Sequence, residues 1–230
     1  MEPHKKLSDG IDLYRPVLEA GYEAYFRKAL AFARAYYAEE MEQIGSVKSD
    51  SVDPHFFFRE YIWVVHATGF SAKAVGKFMP RLVDAYGSYD QLAERTVQQA
   101  EERVKPVCNN PQKIRAIHTA SILIRDGIRA YGWEKYRKEK LSSPALLAKL
   151  PYVGPVTSFH LGRNIGLLDC VKPDLHLVRL AELWGFKDCV EMCKSMQEIE
   201  PSLPLGIVDL VVWYAASTFG TIEAKKVGSR

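Results

Sequence analysis

Apolar side chains recur along this chain at three- and four-residue steps, and no alternating apolar run demands a strand. Tyr22, Phe26, Leu30, Ala33 and Tyr37 form one such stripe, which predicts one long helix or two over residues 10–44. Its aromatic rings read as core packing, with base stacking as the rarer use. The polar run Gly45 to Pro54 (GSVKSDSVDP) breaks the pattern and marks a boundary. A buried helix starting near Phe56 is expected to end near Gly69, with Ser71 capping the next. Residues 89–103 give one or two short amphipathic helices, and Lys105 to Pro111 (KPVCNNP) a loop. Ile114, Ile117, Ala120, Ile124 and Ile128 then predict a helix over 112–131. The basic stretch Trp133 to Lys140 reads as a solvated helix end, the alternative being a phosphate-contacting strip. Asp188 to Met196 and the very apolar Leu205 to Phe219 complete an all-α pattern.

One stretch is punctuated more sharply than the rest. Residues 142–149 predict a short helix with Ser142 or Ser143 as cap and Pro144 in its first turn. Pro151 cannot extend that helix, and Gly154 can take a positive φ, so residues 150–154 form a tight break. A second helix runs from Pro155 to Asn164. The free N–H groups at its start, around Tyr152, Val153, Gly154, Val156 and Thr157, make a phosphate site that needs no side chain. Pro173-Asp174 opens a third helix, so a carboxylate falls at a helix N-terminus, where negative charge is favoured. The plain reading of Asp174 is a cap on a packed helical hairpin. Asp209, inside the most apolar helix, must find donors or stay protonated. Arg179 is its expected partner, and a second active-site carboxylate is the alternative.

Length and charge change this picture little. A chain of 230 residues with 47% hydrophobic content supports one sizeable domain or two small ones. A net charge of +3 permits nucleic-acid binding without arguing for it. No apolar run of about 18 residues exists, and Met1 to Lys6 lack the apolar core of a signal peptide, so a soluble, cytoplasmic monomer is expected. Cys108, Cys170, Cys189 and Cys193 do not form a secreted-type disulfide framework. Cys189 and Cys193, one turn apart, lack the two further close ligands a metal site needs.

The pattern Leu150-Pro151-x-Val153-Gly154-x-x-Thr157, followed by Asp174-x-His176-x-x-Arg179, resembles the helix-hairpin-helix DNA glycosylase superfamily. His66-Ala67-Thr68 followed by Ser71, and Asn110-x-x-Lys113 with Ile117, are similar to two further segments of that superfamily; the likeness covers roughly residues 55–185. It implies two helical lobes with a central cleft: residues 54–168 as the lobe carrying the hairpin, and 1–53 with 169–230 as the lobe carrying Asp174. It also implies an enzyme that flips a base out of duplex DNA. Asp174 would be the catalytic carboxylate, with His176 and Arg179 orienting, and a monovalent cation could sit on the Leu150 and Val153 carbonyls. His66 stands where relatives place a residue reaching towards the DNA gap; a histidine satisfied inside the fold is the equal alternative. Tyr61, Trp63, Tyr152 and Trp213 are aromatic candidates for the base pocket.

Two departures narrow the expectation. The iron–sulfur cysteine cluster of some members is missing, so no cofactor is implied. The lysine that bifunctional members use as a Schiff-base nucleophile is replaced by Val156, so no lyase step is implied. The leading expectation is a monofunctional N-glycosylase. A second is a transferase related to viral thymine-hypermodification enzymes, which attach an amino acid or polyamine to a pyrophosphorylated hydroxymethyluracil. A third is a non-catalytic DNA-binding module.

Overall fold

The apolar stripes fold as helices, and no strand occurs among the described residues, which in this computed structural model are 16–70 and 72–219. The expected starts at residue 10, the Ser71 cap and the polar end 223–230 lie outside them. No helix among the described residues is long and apolar enough to cross a membrane.

The chain divides into two compact units, residues 47–167 and a second made of the segments up to 46 and from 168 onward. In the second unit, α1 (Tyr22–Tyr36) and α2 (Ala38–Ser46) come from the first segment. The helices α11 (Leu175–Leu183), α12 (Cys189–Gln197) and α13 (Leu205–Phe219) come from the last. Its centre is α13, where every residue from Leu205 to Val212 is buried. The stripe of α1 supplies Tyr25, Phe26, Ala29 and Ala33 to the same core. Tyr37 stacks on Tyr214 at 3.9 Å between ring centroids, and the Trp184 indole N–H donates to the Leu18 carbonyl (3.2 Å). Both contacts join early to late sequence, which is how two distant segments hold one core.

The unit 47–167 contains α3 (Pro54–Ala67), α4 (Ala72–Tyr86), α5 (Tyr89–Ala93), α6 (Val97–Val104), α7 (Pro111–Tyr131), α8 (Trp133–Lys140), α9 (Pro144–Leu147) and α10 (Pro155–Asn164). Its helix starts follow capping chemistry. Asp53 accepts from the His55 and Phe56 N–H groups (2.8 and 2.9 Å), and Asn110 accepts from the Lys113 N–H (3.1 Å), each followed by a proline at the first helical position. The unit begins at 47, before the boundary expected at 54. The polar run is tied into it: Trp133 donates to the Val52 carbonyl (2.7 Å) and Arg137 to the Ser49 carbonyl (2.6 Å). Gly127 lets α7 and α8 meet, because a Cβ there would enter the Tyr136 ring. Arg137, within the stretch expected to be solvated, thus turns inward.

Candidate nucleic-acid interface

The hairpin α9–α10 is bolted to its unit through alternating apolar positions. Leu147, Leu150, Val153 and Leu161 are all buried in one core. Between the helices, the Val153 N–H donates to the Leu150 carbonyl (3.1 Å), closing a turn over Pro151 and Tyr152. Pro151 fixes the second position of that turn, and the third takes the positive φ, as in a type II turn. The third residue is Tyr152, with φ 63°. Gly154, which could have held this conformation, has φ −89° and ψ 178° and serves as the N-cap of α10. The turn runs from Leu150 to Val153 and is complete before Gly154 is reached. A bulky side chain in the left-handed region costs about 1–2 kcal/mol relative to glycine.

Tyr61 fixes this turn from beneath. Its hydroxyl donates to the Pro151 carbonyl at 2.6 Å from a ring that is fully buried in α3. Burial also raises its phenol well above the ordinary range, so it stays a donor. Tyr61 therefore supports the hairpin and does not stack on a base. The N-cap glycine of α10 offers no side-chain acceptor, which leaves the N–H groups of Val156 and Thr157 in the first turn to other partners. The Val153 N–H is spent in the turn, so it drops out of the phosphate site proposed from sequence. A Cβ on Gly154 would meet nothing within 4 Å, so the fold itself does not require glycine there.

Beside the turn lies a lysine that the sequence reading passed over as a site residue. Lys113 on α7 is 2% exposed, and its ammonium donates to the carbonyls of His66 (2.9 Å) and Thr68 (2.6 Å) at the end of α3. The same Nζ lies 4.7 Å from the Phe70 ring centroid and 5.8 Å from that of Tyr152. Burial lowers its affinity for the proton. Lys113 shares the stripe of Ile117, Ala120 and Ile124, and a lysine at an apolar register was the available signal.

His66 takes the interior option. It is 1% exposed, its Nε2 pairs with the Tyr86 hydroxyl (3.0 Å), and it cannot reach a base from there. Burial, and then the Lys113 charge, lower its pKa to about 4. Trp63 is partly buried and packs against the same core.

The other unit carries the carboxylate. Asp174 is the N-cap of α11, and its Oδ1 accepts from the N–H groups of His176 (2.9 Å) and Leu177 (3.2 Å). Its Oδ2 lies 3.9 Å from the Lys172 ammonium, and the side chain keeps 13% exposure. One oxygen is thus pinned while the other faces a cation. Asp209 is buried, as expected, and its Oδ2 accepts from the Lys172 main-chain N–H (3.0 Å). This main-chain donor, two residues before Asp174, is one that the sequence did not suggest. Arg179 itself is half-buried on α11. The Nδ1 of His176 is buried with no hydrogen-bond partner. Trp213 packs partly buried against the core, 5.7 Å from the Tyr214 ring. Cys189 and Cys193 are core residues of α12; burial, then Asp209, push the Cys189 thiol up to about 11. Among the described residues no three His, Cys, Asp or Glu side chains group to hold a metal ion.

An all-α chain with a proline-and-glycine hairpin and an aspartate capping a later helix has the fold of the helix-hairpin-helix DNA glycosylases. Its structure is similar to that of the Methanocaldococcus jannaschii 8-oxoguanine glycosylase/lyase in complex with 15mer DNA containing 8-oxoguanine, with a TM-score of 0.56. The two chains are 18% identical over 83% of this chain and 96% of that one, a likeness that establishes the fold. No family model matches the chain, and no curated protein matches it in sequence.

Proposed function

We propose that this protein binds DNA and removes a damaged or modified base as a monofunctional N-glycosylase. The observation that carries the reading is the state of Asp174. Two main-chain N–H groups hold its Oδ1 in place, and the carboxylate is neither sealed in the core nor consumed by a guanidinium. A carboxylate so held can stabilise the positive sugar that develops as a glycosidic bond breaks, or orient the water that attacks it. Asp209 acts one step back, by fixing the main chain at Lys172 two residues before Asp174.

The hairpin supplies the other requirement, a grip on the strand while a base leaves the stack at a cost of a few kcal/mol. The N–H groups of Val156 and Thr157, at the positive end of α10, suit a phosphate oxygen. A monovalent cation on the Leu150 and Val153 carbonyls belongs to the same proposal. The reading assigns no role to an iron–sulfur cluster: two of the four cysteines, Cys189 and Cys193, are buried core residues of α12. Val156, 41% exposed, stands where a lyase lysine would be and cannot form a Schiff base.

The decisive experiment incubates the protein with duplexes that each carry one damaged or modified base and scores abasic sites. Abasic sites made by the wild type and lost in Asp174→Asn support the reading. A mass gain on the base, dependent on an activated thymine and an amine donor, would replace hydrolysis by group transfer. DNA binding with neither product would leave a binding module.

A further inference from the structure

Among the described residues, Tyr152 is the sole non-glycine with a positive φ. A glycine would adopt that conformation without strain, so the tyrosine ring is kept at the expense of the backbone. The ring is not sealed inside the fold: Tyr152 is 39% exposed, and its ring centroid lies 5.8 Å from the Lys113 ammonium. On the same ammonium sits a second exposed ring, Phe70, at 52% exposure in the turn after α3. Lys113 cannot move to accommodate either ring, because two carbonyls hold its Nζ. The result is two solvent-facing aromatic rings set against one buried cation, within the unit that presents the unpaired N–H groups of the hairpin.

The chemistry of this patch selects its occupant. Exposed rings attract a flat, apolar-faced group, and the N–H groups of Val156 and Thr157 attract an oxyanion. A base on its phosphodiester strand has both, and base–aromatic stacking is indifferent to which base it is. A base still paired in a duplex already has both faces covered. We infer that Tyr152 and Phe70, spaced by Lys113, form a platform that receives an unstacked base of bound DNA. This inference rests on the DNA-binding reading above and deepens it.

The test compares the affinity of the intact protein for three DNA probes of equal length: a fully paired duplex, a duplex with one base facing an abasic-site analogue, and a single strand. Tyr152→Gly removes the ring while relaxing the turn, and its melting temperature should be no lower than that of the wild type. It should weaken binding roughly tenfold on the two probes with unpaired bases and hardly at all on the paired duplex. Phe70→Ala should show the same selectivity, and Tyr152→Phe should bind like the wild type. Equal losses on all three probes, or no loss in either variant, would overturn the platform while leaving DNA binding intact. Failure of the wild type to bind any probe would overturn the DNA-binding reading and the platform with it.

Discussion

The Tyr61 hydroxyl meets the Pro151 carbonyl at 2.6 Å across 90 residues of sequence, and through this bond the core of one helix sets the turn of the hairpin. Tyr61→Phe removes the donor and leaves a carbonyl short of its partner. A loss of about 1–2 kcal/mol in stability is expected. Hydrogen exchange at the Val153 amide, whose bond closes the turn, should accelerate more than exchange at amides in α7. Unchanged protection at Val153 would show that Tyr61 does not govern the turn.

Asp174 has two jobs that substitution can separate. Asparagine caps a helix as well as aspartate does, whereas alanine forfeits about 1 kcal/mol. Asp174→Asn should therefore melt like the wild type, bind DNA normally and lose at least about a hundredfold in turnover. Asp174→Ala should lose turnover and stability together. Full activity in Asp174→Asn would remove the residue from the chemistry.

At Gly154 the fold and the proposed function make different demands. The position has an ordinary φ and open space around it, so Gly154→Val should fold, with a loss of at most about 1 kcal/mol from the less favoured N-cap residue. A side chain there would stand over the first turn of α10 and keep a phosphate away. DNA affinity should fall about tenfold, equally for all sequences, because the contact is to backbone and not to bases. A loss confined to certain sequences would mean that this surface reads bases.

How much of this was legible beforehand can be judged from the hairpin. Pro144, Pro151 and Pro155 punctuate it so strongly that both helices follow from sequence, as does the cap at Asp174. The turn conformation did not follow, because glycine is the default bearer of a positive φ. What decides it is the register set by Pro151, which hands that φ to whichever residue comes next. Lys113, His66 and Tyr61 were hidden for another reason. Their partners are main-chain carbonyls or a hydroxyl 20 to 90 residues away, and periodicity within one helix is blind to such partners. Likewise Asp209 could be read as needing donors, but a main-chain N–H such as that of Lys172, which every residue except proline has, leaves no mark in a sequence.

His66 gives the stability a pH dependence with a definite sign. Its pKa falls from 6.5 to about 4 on folding, so the folded state resists a proton that the unfolded chain accepts. The contribution is present above pH 6.5 and is lost as pH drops from there towards 4. Its full size is about 3 kcal/mol. His66→Gln keeps a hydrogen-bonding group for Tyr86 and cannot titrate. Thermal melts from pH 7 to 4 should therefore fall more steeply for the wild type than for the variant. Parallel curves would show that the histidine stays uncharged in both states or charged in both.

The absence of a nucleophilic amine from the hairpin helix predicts the result of chemical trapping. Borohydride reduces a Schiff base between a lysine and the sugar of an abasic site to a stable amine, so a lyase leaves a covalent protein–DNA complex. Val156 cannot form that adduct, and Lys113 has its ammonium buried and held by two carbonyls. Lys172 lies 3.9 Å from Asp174, where its charge balances the carboxylate. Reduction during turnover should leave protein and DNA separate on a denaturing gel. A trapped complex would end the monofunctional reading, and its loss in Lys172→Gln would then identify the amine that the hairpin lacks.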